Sequence, residues 1–484
     1  MKKNQRHTPL FDAILDFVAQ APAPFFIPSH KMGRGIDPRW LDFAGENIFK
    51  MDLSEVRGLD DLHRPSGPIA EAQALAADAW GADRSFFLVN GTSAGIIAAI
   101  CSVVSEGQKI IVPRNAHKSV VFGLIISGAV PVYISAEVHA EKGLVGGVSK
   151  EKLDALYAAN ADAKGVFAVS PSYHGVCGDT RGLIDVTHAR GGVFIADEAH
   201  GNHAYFHEKL APGALALGAD CACQSLHKMS GSLTQSSVLH IRGDRLDAGR
   251  LEANLRMTQS TSPSYLLLAS LDLARSRMAT QGRGMLDRLI RMSDAARREL
   301  AALPGIEAPG EDLIGEAAIA GYDPIRLVVS ARRLGMDGYE LCRILREAYN
   351  IEIEFGDHFY GICVMGLGTV QEDVDRLLFA MRDISERYRG RRAPLTPAGA
   401  LPPAPPMAMT PRAAHFAERT RVPVREAEGR ICAQMLVPYP PGIPVVCPGE
   451  LITRDIRAFL DEQIEKGRHL HGLEEGNGIA VVRE

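Results

Sequence analysis

Lys228 stands just past a short apolar run, Cys221-Ala222-Cys223-Gln224, after Ser225-Leu226-His227. A lysine at that point lies where an open α/β sheet presents its ligand edge. Thirty-one residues earlier, Val193-Phe194-Ile195-Ala196 ends in Asp197. A carboxylate closing an apolar strand is costly to bury without a cationic partner. Ala199, two residues on, is small enough to lie against one face of a flat ring. Asn90-Gly91-Thr92-Ser93-Ala94-Gly95 follows another apolar run and opens an apolar helix. Gly91 lets the backbone come close, and Thr92 and Ser93 supply hydroxyls and free N–H groups at a positive helix end, a ready phosphate site. Ser225 and His227 add phosphate donors. His117, in Pro113-Arg114-Asn115-Ala116-His117-Lys118, follows a third strand and could stack on a ring. Each feature alone has an ordinary explanation: a loop lysine, a capped turn, a histidine at a helix start. Their order and spacing together describe a pocket for pyridoxal 5′-phosphate (PLP). Asp197 would keep the pyridine nitrogen protonated so that the ring can draw electrons from a bound substrate.

Regularly alternating elements must position these residues. Strands are expected at 86–89, 110–112, 130–134, 166–170, 193–196, 221–224 and 238–241, separated by helix-like segments. That alternation predicts a mostly parallel seven-stranded sheet with helices on both faces. Residues 246–303 read as helices leaving the sheet. A second, smaller α/β unit follows, with strands at 325–329, 351–355 and 360–366 and helices at 338–348 and 370–387. Residues 391–411 and 437–449 are proline-rich, as in linkers or extended crossings, and a helix is expected at 450–466. The predicted organisation is an N-terminal segment (1–60), a PLP-binding large domain (61–300), a small α/β domain (301–390) and a proline-rich C-terminal segment (391–484).

Composition narrows the classes. Of 484 residues, 46% are hydrophobic and 23% charged, with a net charge of −5, so neither nucleic acid nor an anionic membrane is an expected partner. The most apolar stretch, 120–133, is too short and too broken by Gly123, Gly128 and Pro131 to span a bilayer. Eight cysteines without a CxxC pair read as reduced core thiols of a cytoplasmic protein. Asp197-Glu198-Ala199-His200 spells a helicase motif, but the chain lacks the GxxxxGK[ST] loop such enzymes need. His200, His203 and His207 have helical spacing without further ligands, and no metal is expected.

The chain resembles the bacterial Orn/Lys/Arg decarboxylases, PLP enzymes of the aminotransferase-like fold (fold type I). The matching segments are Pro28–Gly33, Asp61-Leu62-His63 with Gly67-Pro68-Ile69, Phe87–Ser93, Pro113–Ser119, Asp197–Gly201 and Ser225–Lys228. Ser260–Tyr265 and Pro438–Pro444 match too. The resemblance implies that Lys228 carries the cofactor, Asp197 pairs with its pyridine nitrogen and His117 stacks on it. Gly91, Thr92, Ser93, Ser225 and His227 would hold the phosphate, with Ala199 and His200 beside the ring. Ser260 would reach the phosphate of a neighbouring subunit, making the site a feature of a homodimer or a tetramer. Longer members carry an N-terminal wing domain, so this chain is expected to be a short form.

The implied reaction is α-decarboxylation of lysine, ornithine or arginine. Lys228 or a nearby histidine would return the proton to Cα. A basic substrate needs a distal acidic pocket, and Glu354 and Asp357, in Glu352–His358, are the expected carboxylates. Two alternatives stay open: another fold type I reaction such as transamination or aldol cleavage, with Arg326 or Arg332 taking the α-carboxylate, and a non-catalytic regulatory relative.

Overall fold

The computed structural model describes residues 3–395, 402–438, 443–468, 470–473 and 476–483. In chain order its strands begin β1 (Arg84–Leu88), β2 (Lys109–Pro113), β3 (Val130–Ile134), β4 (Gly165–Val169), β5 (Val176–Gly178) and β6 (Val193–Asp197). They continue β7 (Cys221–Gln224), β8 (Ser237–Ile241), β9 (Ile319–Tyr322), β10 (Arg326–Val329), β11 (Phe355–Gly356) and β12 (Gly361–Val364). Seven of these are hydrogen-bonded in the order β1-β8-β7-β6-β4-β2-β3. The pairs β2–β3, β2–β4 and β6–β7 are parallel, whereas β8 runs against both β1 and β7. All seven expected sheet strands are present, each within two residues of its expected ends.

The chain forms two compact units. The first comprises Met1–Ser102 and Ile195–Asp287. Its core packs the N-terminal helix Pro9–Ala19 (Leu10, Ile14) and the helix Pro68–Trp80 (Ile69, Trp80) with Phe87, Val238 and Leu268. Asp272 and Arg275, both fully buried, pair at 2.5 Å and tie down the N-terminal segment. Asp272 accepts from the Leu10 N–H at 3.0 Å, and Arg275 donates to the Gln5 and His7 carbonyls. Breaking a buried pair leaves an uncompensated charge, so it fixes the segment more firmly than an exposed pair would.

The second unit comprises Val103–Phe194 and Arg288–Glu484. Here β10, β12 and β11 form a small sheet, with helices Gly338–Tyr349 and Gln371–Tyr388 sharing its core. The strand expected at 351–355 is a correction: only Phe355–Gly356 pairs. Asn350 takes a left-handed turn at φ +52°, and the Ile351 N–H closes the preceding helix onto Leu345 O at 3.0 Å. The apolar alternation of Ile351 and Ile353 therefore packs against the helix core instead of feeding a ladder.

Beyond the proline-rich stretch, part of which lies outside the described residues, the C-terminal segment has its own core. Strands Arg419–Pro423 and Gly478–Val482 pair antiparallel, and helix Arg454–Glu465 buries Ile456 and Leu460 with Val446 and Ile479. Arg114, just after β2, anchors this segment. Its guanidinium donates to Val445 O at 2.9 Å and Cys447 Sγ at 3.1 Å, lies 3.3 Å from the fully buried Glu450, and covers the Tyr133 ring at 4.9 Å. Burial pushes Glu450 up to about 7, against the pull of Arg114 and the Cys447 N–H. A carboxyl whose pKa is higher folded than unfolded contributes stability that is full below its unfolded value and is lost as pH rises through its folded value. Between pH 5 and 8 the unfolding free energy of the wild type, measured against Glu450→Gln, is therefore expected to fall by up to about 3 kcal/mol. Parallel stability curves for the two proteins would contradict this burial of Glu450.

Candidate active site

In the first unit, three strand ends bring their following turns together. After β1, Gly91 adopts φ +75° and starts the helix Gly91–Val103. A Cβ at Gly95 would lie 2.7 Å from Leu88 Cδ1, so this helix packs too closely on β1 for a larger residue. The buried Thr92 places its Oγ1 2.5 Å from Ser225 Oγ and 3.0 Å from Ser237 Oγ. Hydroxyls from β1, β7 and β8 thus meet at one helix N-terminus, where free N–H groups and the helix dipole favour an anion. Ser93 lies in the same first turn.

After β7, the short helix Leu226–Met229 carries His227 and Lys228. Lys228 Nζ lies 3.0 Å from His200 Nε2. Asp197, at the end of β6, is 4% exposed and accepts from the Ala199 N–H at 3.0 Å. Burial raises its pKa, while the Ala199 N–H and the charge of Lys228 pull it down. His227 Nδ1 is 2.9 Å from Ser236 O, a carbonyl that only accepts, so Nδ1 carries the proton. Burial lowers the His227 pKa, so Nε2 would donate to a phosphate only where that anion keeps the ring protonated.

Two supports were not foreseen from the sequence. Asn202 donates to Ser225 O at 2.8 Å, accepts from Ser230 Oγ, and takes the Trp80 indole N–H on its carbonyl at 3.0 Å. It braces both ends of the lysine-bearing turn. Glu198, 2% exposed, accepts from Tyr205 Oη and the Ala214 N–H at 2.6 Å and from Gln224 Nε2 at 2.8 Å. Gln224 in turn meets His240 Nε2 at 3.2 Å, and burial lowers His240 to about 3. Glu198 stood out in the sequence only as a member of the Asp197–Gly201 segment, and Asn202 only as a polar residue just after it.

Gly91, Thr92, Ser93, Asp197, Ala199, His200, Ser225, His227 and Lys228 all belong to this unit. Ser260 does too, but it is exposed in the turn between helices Ala248–Thr258 and Tyr265–Ala301, its N–H 3.5 Å from Asn90 Oδ1. His207 pairs with Asp287 at 3.0 Å and His200 with Lys228. Among the described residues, no group of three or more His, Cys, Asp or Glu is arranged to hold a metal ion.

The other expected site residues lie in the second unit. His117 caps the helix Lys118–Ser127, its Nδ1 2.9 Å from Ser119 Oγ. Glu354 is exposed, its backbone N–H bonded to Ile362 O. Asp357 is engaged both by His174 and within its own turn. It meets His174 Nε2 at 2.6 Å and accepts from the Phe359 and Tyr360 N–H groups at 2.8 and 2.7 Å. Burial raises its pKa, but these bonds outweigh it and the carboxyl is held below its usual range. Arg332 is committed to Glu307 at 2.7 Å.

The first unit's residues suit PLP. A buried carboxylate feels the charge of a nearby lysine, and hydroxyls meet a helix N-terminus behind a positive-φ glycine. The family model for the Orn/Lys/Arg decarboxylase major domain matches residues 8–373, and that for the family's C-terminal domain matches 398–481. The chain belongs to the Orn/Lys/Arg decarboxylase family. Arginine decarboxylase of Bacillus subtilis is 39% identical over 99% of both chains. Arginine decarboxylase of Halalkalibacterium halodurans is 40% identical over 99% of this chain and 98% of its own. The structure of lysine decarboxylase A from Pseudomonas aeruginosa is similar with a TM-score of 0.85 and 25% identity, over 98% of this chain and 80% of its own. Aminotransferases share the fold at lower similarity. The expected α/β, aminotransferase-like fold and the expected decarboxylase family both stand. No described helix is long and apolar enough to cross a membrane.

Replacing Asn202 with Ala strands the Ser225 carbonyl and the Ser230 hydroxyl, both buried. Urea unfolding is expected to show a loss of about 2 kcal/mol. An unchanged midpoint would remove Asn202 as the brace of this turn.

Proposed function

We propose that this Orn/Lys/Arg decarboxylase acts on arginine and uses PLP carried on Lys228. The reading rests chiefly on one observation in the fold: a buried carboxylate, Asp197, whose nearby cation is Lys228. The preference for arginine draws on relatives of that name near 40% identity over nearly the whole chain, against 25% for the lysine enzyme. When bound, the cofactor would supply an electron sink for the pair left as carbon dioxide departs.

The chain's own residues would do the rest. Asp197 would hold positive charge at the pyridine nitrogen, a partner that repays its burial. Thr92, Ser93, Ser225 and His227 would anchor the phosphate, and Ala199 and His117 would bound the ring. Lys228 Nζ and His200 Nε2 share a hydrogen bond at 3.0 Å, so the pair can hold one proton and pass it to Cα once carbon dioxide has left. In the second unit, the exposed Glu354 is the carboxylate we assign to the guanidinium, a planar cation that a carboxylate binds through two parallel bonds. Asp357, already bonded to His174, would shape that segment and add negative charge. We further propose a cytoplasmic homodimer or tetramer in which Ser260 completes the neighbouring subunit's phosphate site.

A panel of arginine, lysine and ornithine tests the reading. Arginine is expected to release carbon dioxide and agmatine with the highest kcat/KM. Lys228→Ala should abolish both turnover and the visible absorption of the holoenzyme. Keto-acid formation would favour transamination, and an absorbing Lys228→Ala protein would sink the assignment of Lys228.

A further inference from the structure

The proposed substrate carboxylate, Glu354, stands just before β11, and the turn 357–360 that joins β11 to β12 is held by the C-terminal segment of the same unit. Asp357 N–H donates to Tyr360 O at 2.8 Å, and the Asp357 carboxylate collects two further N–H groups of the turn. Contacts with the start of helix Gly338–Tyr349 are too close for any side chain: a Cβ on Gly356 would lie 1.9 Å from Gly338 O, and one on Gly338 would lie 2.0 Å from Tyr360 O. Small shifts of the helix start would therefore be transmitted directly to the turn.

Arg468, from the C-terminal segment just after helix Arg454–Glu465, spans this junction. Its Nη1 lies 3.0 Å from His358 Nδ1, and its Nη2 donates to Asp337 Oδ2 at 2.6 Å. Asp337 is the N-cap of the packed helix, its other oxygen accepting the Glu340 N–H at 2.8 Å. The guanidinium stacks over Tyr339 at 4.3 Å and is steadied by Gln463 Oε1 at 3.0 Å. Its side chain is 11% exposed. A guanidinium only donates, so His358 Nδ1 must accept, and the ring is neutral with its proton on Nε2. Burial, then the charge of Arg468, lowers the His358 pKa accordingly. Phe459 packs against the His358 ring at 6.1 Å.

We propose that Arg468 is a positioning residue for substrate recognition: by gripping His358 and the Asp337 cap together, it fixes the turn that presents Glu354. The inference rests on the assignment of Glu354 to the substrate side chain. Arg468 touches no reacting atom, so its effect falls on substrate binding and leaves the chemical step alone. A lysine there keeps the charge but cannot span two partners in fixed directions.

Arg468→Lys and His358→Gln holoenzymes test this by steady-state kinetics with arginine and by hydrogen–deuterium exchange over 354–360. Each variant is expected to raise KM about tenfold with kcat within about twofold, and the double variant to add nothing. Exchange across the turn should quicken while the cofactor absorption stays unchanged. Unchanged exchange, or faster exchange with wild-type KM, would overturn the proposal. Equal loss of kcat and kcat/KM would also overturn it, since that marks a role in chemistry. A wild type that decarboxylates none of the three amino acids would instead sink the proposed function, and the exchange measurement would still decide whether Arg468 holds the turn.

Discussion

An ionised Asp197 needs a positive charge beside it. Its carboxylate is buried at the end of a central strand, and burial pushes it toward the neutral acid. The electrostatic cost of a lone buried charge is several kcal/mol, a large share of a domain's stability. The charge of Lys228 offsets part of that cost in the free protein, and a protonated ring would offset more in the holoenzyme. The surrounding architecture serves this pairing. The first unit delivers β6 and β7 side by side and in parallel, so both turns leave the same edge of the sheet. Asn202 then locks one turn to the other.

Much of this was legible in the sequence because it follows from local rules. Apolar runs of three to five residues broken by polar turns marked all seven sheet strands, and the strand-end positions of Asp197, Lys228 and Gly91 followed from them. The Gly91–Ser93 turn alone could have been a plain capped turn, and it was legible as a phosphate site only beside Asp197 and Lys228.

What escaped depends on contacts distant in sequence. The Ile351–Phe355 alternation looked like a strand, but the Asn350 turn folds it back onto its own helix. Asp357 looked like a free carboxylate for a cationic substrate, yet it is bonded to His174, 183 residues away. Glu198 is part of a motif, and nothing in that motif reveals that it holds Tyr205, Ala214 and Gln224 together. Arg468 sits in an unremarkable polar stretch, and its partners His358 and Asp337 are more than one hundred residues distant. Such residues become visible only once the chain is folded, because their role is to join segments that sequence periodicity treats separately.

The central claim is that one lysine, chosen by its place beside a buried carboxylate, carries the cofactor. Borohydride reduction of the PLP-loaded protein, followed by peptide mass mapping, tests it most directly. A single phosphopyridoxyl modification, on Lys228, is expected. Modification of another lysine, such as Lys118, with Lys228 untouched would contradict it.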